Sequence, residues 1–254
     1  MSIAFGIDIG GSGIKGAPVN LETGELLESR KRIPTPEKST PEAVAEVCAQ
    51  VLAHFDLADD IPVGVSLPGP IRQGRVLFMA NLHKSWKGTN ADEVMTAALG
   101  RPVRTVNDAD AAGYAEVAYG ATKDRAGTVI VTTLGTGIGS AVIVDGVLVP
   151  NTELGHLEID GHDAESRASS AAKDREGLSF KQWAKRLTRY YGHLEMLFSP
   201  DLFVVGGGVS KEHEEFLHLI KVRTPMVPAA LRNSAGIVGA ARLAAPPVVT
   251  TLGA

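Results

Sequence analysis

The run Phe5-Gly6-Ile7-Asp8-Ile9-Gly10-Gly11-Ser12-Gly13-Ile14-Lys15-Gly16 carries the densest chemical signal in this chain of 254 residues. An apolar strand ends on an aspartate, small residues turn the chain, and a second alternating run follows with one lysine. A turn with few Cβ atoms lets successive backbone N–H groups approach phosphate oxygens as an anion nest. Gly10, Gly11, Ser12 and Gly13 would form that nest, Lys15 would add a cation, and Asp8 could hold Mg2+ through water. Residues 11–16 also spell GxGxxG, but the dinucleotide-binding form of that motif needs a helix opening inside it. Pro18 and the turn signal Asn20-Leu21-Glu22-Thr23-Gly24 predict a hairpin instead, with a third strand over 25–33. The plain alternative is an ordinary glycine-rich hairpin turn.

Further constellations follow in order. Gly135-Thr136-Gly137-Ile138-Gly139-Ser140 turns the chain after a β-branched strand, with hydroxyls at Thr132, Thr133 and Thr136. Two such turns on facing hairpins could grip a phosphate chain from both sides. Gly206-Gly207-Gly208 follows another strand and either admits a ring or phosphate or is a simple strand-to-helix turn. Asn107-Asp108 ends a strand just before a helix, where parallel sheets place ligands. Asp108 can take a proton from an attacking hydroxyl, or it can N-cap the helix, with Asp110 as a dipole partner in the first turn. Glu153-Leu154-Gly155-His156 sets an acid and an imidazole three apart, and Gly155 favours a loop over a metal-binding helix. With Asn107, Asp108 and Glu165 these groups would read several hydroxyls, as a sugar requires; solvated loop residues are the alternative. Lys181, Lys185 and Arg189 recur every four residues, flanked by Arg186, so one helix face carries either a track for a long polyanion or a solvated surface.

The elements that must position these residues read as two related halves. The first has the opening hairpin, a helix over 43–55 capped by Thr40 with Pro41 behind it, and a strand over 62–67 leading into Pro68-Gly69-Pro70. A short strand or turn edge over 74–79, a helix over 90–99 closed by Gly100, a strand over 103–106 and a helix over 109–119 complete it. The second restarts with strands over 128–134, 141–144 and 147–149, the last two joined by Asp145-Gly146. Residues 166–177 show no clear strand or helix face. A helix over 180–197, a strand over 202–205 and helices over 213–220 and 234–244 follow, and the tail over 246–254 reads as poorly ordered.

Composition narrows the class. The chain is 44% hydrophobic and 21% charged, which fits a soluble globular protein with a sizeable core. Its net charge of −4 offers no general attraction for nucleic acid, and no apolar run approaches the roughly 20 residues that span a bilayer. Cys48 is the single cysteine, which excludes an internal disulfide and is expected to be a small core residue. The absence of a basic, apolar leader makes the cytoplasm the expected compartment.

In this order the pieces resemble the ROK family of sugar kinases, within it the bacterial polyphosphate glucokinases and polyphosphate/ATP glucomannokinases. The resemblance rests on Asp8 to Gly16, Val106 to Ala112, Thr133 to Ala141 and Glu153 to His156. It implies the α/β, two-lobed actin-like/hexokinase (ribonuclease H-like) fold, each lobe a mixed βββαβαβα-type sheet with helices. The expected lobes are 1–109 plus 240–254, and 110–239. It implies that Asp108 is the catalytic base and that Asn107, Glu153 and His156 read the sugar, with Gly69 beside it. Asp8, Gly11, Ser12 and Lys15 match the first phosphate loop, Thr133, Gly135, Thr136 and Gly137 the second, and Gly207 and Gly208 the nucleotide side. Glucose or mannose is the implied acceptor, polyphosphate or ATP the donor, Mg2+ the cofactor, and a homodimer the expected assembly. Many members carry a cysteine-rich zinc motif after the Glu-x-x-His segment; residues 159–167 here contain no cysteine, so no structural zinc is expected. The family's last sugar-binding glutamate follows that motif and falls on Glu165 or Glu158. The rival readings are an ATP-only kinase for another hexose and a non-catalytic sugar sensor.

Overall fold

The computed structural model describes residues 2–79, 81–123 and 125–245; the tail over 246–254 lies outside them. The chain divides into two compact units, one running to Ala111 and resuming at Gly236, the other Ala112–Ala235.

The first unit comprises β1 (Ile3–Gly10), β2 (Gly13–Asn20), β3 (Lys31–Ile33), α1 (Pro41–Leu52), β4 (Val63–Leu67), a small hairpin of β5 (Ile71–Arg72) and β6 (Arg75–Val76), α2 (Ala91–Leu99) and β7 (Val103–Asn107). Helix α3 (Asp108–Tyr119) begins there. The sheet order is β3-β2-β1-β4-β7, with β1, β4 and β7 parallel. Thr40 accepts from the Ala43 amide with Pro41 behind it, and Gly100 closes α2 in a left-handed conformation. In β1 alternate residues face opposite ways. Phe5, Ile7 and Ile9 join the core with Val44, Cys48 and Val51 of α1. Cys48 is buried there, and burial pushes its thiol pKa well up, which keeps the sulfur inert.

The other face of this sheet receives the C-terminal helix α8 (Ala235–Ala244). A Cβ on Gly6 would stand 1.9 Å from the Ile237 carbonyl oxygen, and one on Gly64 1.9 Å from that of Ala240. The helix backbone therefore lies directly on the strand backbones.

The second unit repeats the plan. Strands β8 (Thr128–Leu134), β9 (Ile138–Val144) and β10 (Val147–Val149) form an antiparallel meander, β9 and β10 joined by Asp145-Gly146 with both residues at positive φ. A two-residue hairpin of β11 (Glu158–Ile159) and β12 (His162–Asp163) leads to α4 (Ala164–Ala168), α5 (Ser170–Arg175) and the long α6 (Phe180–Phe198). Then come β13 (Leu202–Gly206), α7 (His213–Phe216) and β14 (Met226–Pro228). The sheet order, β10-β9-β8-β13-β14, matches that of the first unit position for position. Trp183, Tyr190 and Tyr191 of α6 pack on β8 and β13.

Four expectations need correction. The third strand is confined to Lys31–Ile33, with one bridge from Val19 to Leu26. Pro18 is the reason: its carbonyl accepts from Leu27 on this side, but it has no N–H to return, so the ladder breaks. Residues 166–177, without visible periodicity, fold mostly as α4 and α5, each a single capped stretch too short to reveal a face. The helix over 213–220 is α7 followed by a 3-10 turn, Leu217–Leu219. Strand β14 was not expected; ending in Pro228, it fits only a sheet edge. No described helix is long and apolar enough to cross a membrane.

The contact between Gly64 and α8 yields a stability test. Gly64→Ala should overpack this face by about 1–3 kcal/mol, read as a lowered urea midpoint.

Candidate active site

The parallel strands of the first unit end side by side. Asp8 pairs with Ser66, Ser66 with Val106 and Leu67 with Asn107. Asp8, the Pro68-Gly69-Pro70 turn and Asn107-Asp108 therefore share one edge of the sheet. The run after Asp8 enters β2 and not a helix, so the dinucleotide reading of residues 11–16 is excluded.

The Asp8 side chain is 19% exposed, accepts from Ser66 Oγ at 3.0 Å, and pairs with Lys15 Nζ at 3.0 Å across the hairpin. Gly236 of α8 sits against it: a Cβ there would lie 2.8 Å from the Asp8 carboxyl carbon. The hairpin turn brings a group that the motif did not include. Arg32 on β3 lies beside Lys15, donates to the Ser12 carbonyl at 2.8 Å, and occupies the space a side chain at Gly13 would need. The turn thus carries two cations, Lys15 and Arg32. The alternation of β3 opposite β2 was the only sequence signal for the second.

At the end of β7 the carboxamide oxygen of Asn107, a residue 4% exposed, accepts from the amides of Ala109 at 2.8 Å and Asp110 at 3.0 Å. That is the N-cap of α3. Asp108, half-buried, stands at the first helical position, where its Oδ1 also accepts from the Ala109 amide at 2.8 Å. The cap role that sequence offered to Asp108 is filled by its neighbour, and the Asp108 carboxylate benefits from the positive end of the helix dipole.

In the second unit the Gly135–Gly137 turn and the Gly206–Gly208 turn come together. Gly206 pairs with Thr133 on the parallel β13/β8 ladder. Gly207 has φ 87° and lies so close to Leu134 that a Cβ would stand 2.3 Å from its carbonyl oxygen. Of the three threonines near the second turn, Thr132 is withdrawn: its hydroxyl lies 2.6 Å from Tyr191 Oη in the core. Thr133 and Thr136 remain at the surface side.

The Glu153–His156 segment forms a 3-10 turn over Leu154–His156. Ser140 fixes it to β9: its Oγ donates to the Thr152 carbonyl at 2.6 Å and accepts from the Leu154 amide at 2.9 Å. Gly155 is required because a Cβ would stand 2.2 Å from the Ile138 carbonyl oxygen. His156 Nδ1 lies 2.8 Å from Asp163 Oδ2. That hydrogen bond is the main cause raising the imidazole pKa above its usual value; desolvation opposes it, and the charges of Glu165, Asp163 and Glu153 add to it.

Glu165, in the first turn of α4, has its Oε2 2.9 Å from the Ile138 amide. A Cβ on Gly137 would collide with that carboxylate, so Gly137 is bare for the sake of Glu165. One donor atom each from His156, Asp163 and Glu165 lie within 4.8 Å of one another. Glu158 faces Asp163 across the β11–β12 pair but is outside that group. The group has an imidazole and two carboxylates and no thiolate.

The basic helix face is divided. Arg189 grips Asp160 with two hydrogen bonds, of 2.9 and 2.7 Å, and Arg186 pairs with Glu176 at 2.6 Å. These hydrogen bonds lower the carboxylate pKa values and raise those of the guanidiniums. Both arginines, with Arg167 and Tyr190, line a cavity of about 280 Å³. Lys181 and Lys185 are exposed.

Comparison with known proteins places this geometry in company. Residues 4–177 match the ROK family. The chain is 50% identical over 238 residues to a polyphosphate glucokinase of Mycobacterium tuberculosis, covering 93% of this chain and 89% of that one. Among solved structures it is similar to the inorganic polyphosphate/ATP-glucomannokinase of Arthrobacter sp. strain KM, at 57% identity and a TM-score of 0.91 over 95% of this chain and 97% of that one. It is also similar to a ROK family glucokinase from Streptomyces griseus solved with glucose and AMPPNP, at 26% identity and a TM-score of 0.82 over 96% and 99% of the two chains.

The capping arrangement carries its own test. Asn107→Ala should cost about 1 kcal/mol of stability and Asn107→Asp much less, compared by thermal unfolding.

Proposed function

The chain belongs to the ROK family, and from that membership we propose that it is a hexokinase transferring a phosphoryl group from inorganic polyphosphate or ATP to the 6-hydroxyl of glucose. The likeness to polyphosphate glucokinase along nearly the whole chain carries this reading. The actin-like/hexokinase α/β fold, with its repeated five-stranded sheets, fits it. Mannose is a second acceptor, on the strength of the likeness to a glucomannokinase. A homodimer is the proposed assembly, supported by exposed apolar side chains at Met196 and Leu197 of α6 and Val147 of β10.

Asp108 accepts the proton of the 6-hydroxyl as that oxygen attacks the terminal phosphorus, and the bond to the remaining polyphosphate or ADP breaks. Asn107, Glu153, His156 and Glu165 hold the other sugar hydroxyls, with Gly69 alongside. Lys15 and the Gly10–Gly13 turn, and the Thr133–Gly137 and Gly207–Gly208 turns, cradle the donor phosphates. Asp8 suits Mg2+ held through water: it offers a single, partly buried carboxylate, and Mg2+ takes its other ligands from water and phosphates. The ion, when bound, neutralises charge on the transferring phosphoryl group. Lys15, which now pairs with Asp8, would then turn to the phosphates.

The purified protein, assayed with glucose and mannose against ATP and polyphosphate, should form sugar 6-phosphate from both donors. Asp108→Asn should fold normally and lose about 10²–10⁴ in kcat; near-normal turnover would remove the base assignment.

Polyphosphate outreaches a nucleotide and needs cations beyond the two glycine turns. Lys181 and Lys185 on α6 are proposed as that extension, with Arg186 and Arg189 at its end held by acidic partners. Lys181→Glu with Lys185→Glu should raise the KM for polyphosphate more than that for ATP, and more at low salt. An equal change in both would count against the track.

A further inference from the structure

Resting on the reading of His156 and Glu165 as sugar-holding residues, we propose that Asp163 is the positioning residue of the acceptor site, one carboxylate orienting both. Its two oxygens are divided between them. Oδ2 lies 2.8 Å from His156 Nδ1, and Oδ1 accepts from the backbone amide of Glu165 at 3.1 Å as the N-cap of α4. An ionised carboxylate can only accept, so the proton of that hydrogen bond sits on Nδ1. In the neutral imidazole this fixes the tautomer in which Nε2 accepts, suited to a sugar O–H, and in either charge state it fixes the plane of the ring.

The second arm acts on the helix. α4 is five residues long, too short to hold its own first turn, so the cap decides where Glu165 begins. From that anchored backbone the Glu165 side chain reaches the Ile138 amide at 2.9 Å, across a glycine that leaves room for it. Asp163 itself is placed by the β11–β12 pairing, where it stands opposite Glu158. A carboxylate on one ring nitrogen is a general means of fixing an imidazole's tautomer and orientation. The side chains of His156 and Asp163 are 43% and 44% exposed, so the pair orients without locking, and sugar binding would complete its burial.

Two substitutions keep the cap and alter only the imidazole arm. Asp163→Ser keeps an oxygen able to cap α4 but is too short to reach the imidazole. Asp163→Asn keeps an oxygen for the cap but turns an N–H, not an acceptor, toward Nδ1, so it reverses the ring tautomer at almost unchanged size. Glucose affinity is measured by calorimetry in a chelator, without donor or divalent ion, beside steady-state KM and kcat for glucose and ATP. Asp163→Ser should weaken glucose about tenfold, a change of the size expected for one hydrogen bond of this kind. The KM for ATP and the unfolding temperature should hold, and Asp163→Asn, which offers Nδ1 a donor in place of an acceptor, should weaken glucose as well. In a His156→Ala background the same Asp163→Ser change should cost little, because its target is gone. Unchanged glucose affinity in Asp163→Ser, or an equal loss with and without His156, would overturn the proposal. If His156→Ala itself leaves glucose affinity intact, the sugar-holding reading fails first.

Discussion

Backbone lies on backbone where α8 crosses the first sheet, and this constraint governs what surrounds it. Gly6 and Gly64 have no side chains to hold the helix away, so the carbonyls of Ile237 and Ala240 occupy the space that Cβ atoms would take. The same relation recurs where a Cβ on Gly239 of α8 would stand 1.8 Å from the Ala111 carbonyl oxygen on α3. Contacts this close fix the helices against the strand ends to within a fraction of a side chain. Their consequence is chemical. The approach brings Gly236 against Asp8 and narrows the surroundings of the one carboxylate at the end of β1. A sheet padded with ordinary side chains would set the helix further off and open that carboxylate to solvent.

Division of labour between neighbouring polar residues is the second theme. Asn107 takes the capping hydrogen bonds from the amides of Ala109 and Asp110 at the start of α3, and Asp108 shares only the first of them. Ser140 fastens the Glu153–His156 turn to β9, and Glu165 is tied to the amide of Ile138. The Glu153–His156 turn thus has a partner that holds its backbone, and Glu165 has one that holds its side chain. Pre-organisation of this kind matters for phosphoryl transfer, where positioning and electrostatics supply most of the catalysis.

The α4–α5 segment links the proposed acceptor and donor elements of the second unit. Glu165 reaches Ile138 at the end of the glycine turn, and the Ala171 amide donates to the Gly135 carbonyl at 3.0 Å. The turn thus takes its conformation from the residues that follow the histidine segment, in addition to its own glycines. Gly137 illustrates this. Its missing side chain, which sequence ascribes to phosphate approach, makes room for a carboxylate.

Local patterns were legible because local physics makes them. Apolar alternation, Thr40 with Pro41, the left-handed Gly100 and the Asp145-Gly146 turn depend on residues a few positions apart, and each forms where its spacing indicates. The repetition of strand, glycine turn and strand was visible twice, and the two sheets share one order. Groups whose meaning depends on distant partners were not legible. Arg32 reaches Ser12 across 20 positions, Arg189 meets Asp160 across 29, and Thr132 spends its hydroxyl on Tyr191 across 59. The amino-acid sequence alone determined the strand–turn–strand repeat and the order of chemical residues along the chain. Tertiary structure decided which of those residues cap, pair or stay available, because hydrogen bonds and close packing depend on distance in space, which the interval along the chain does not set.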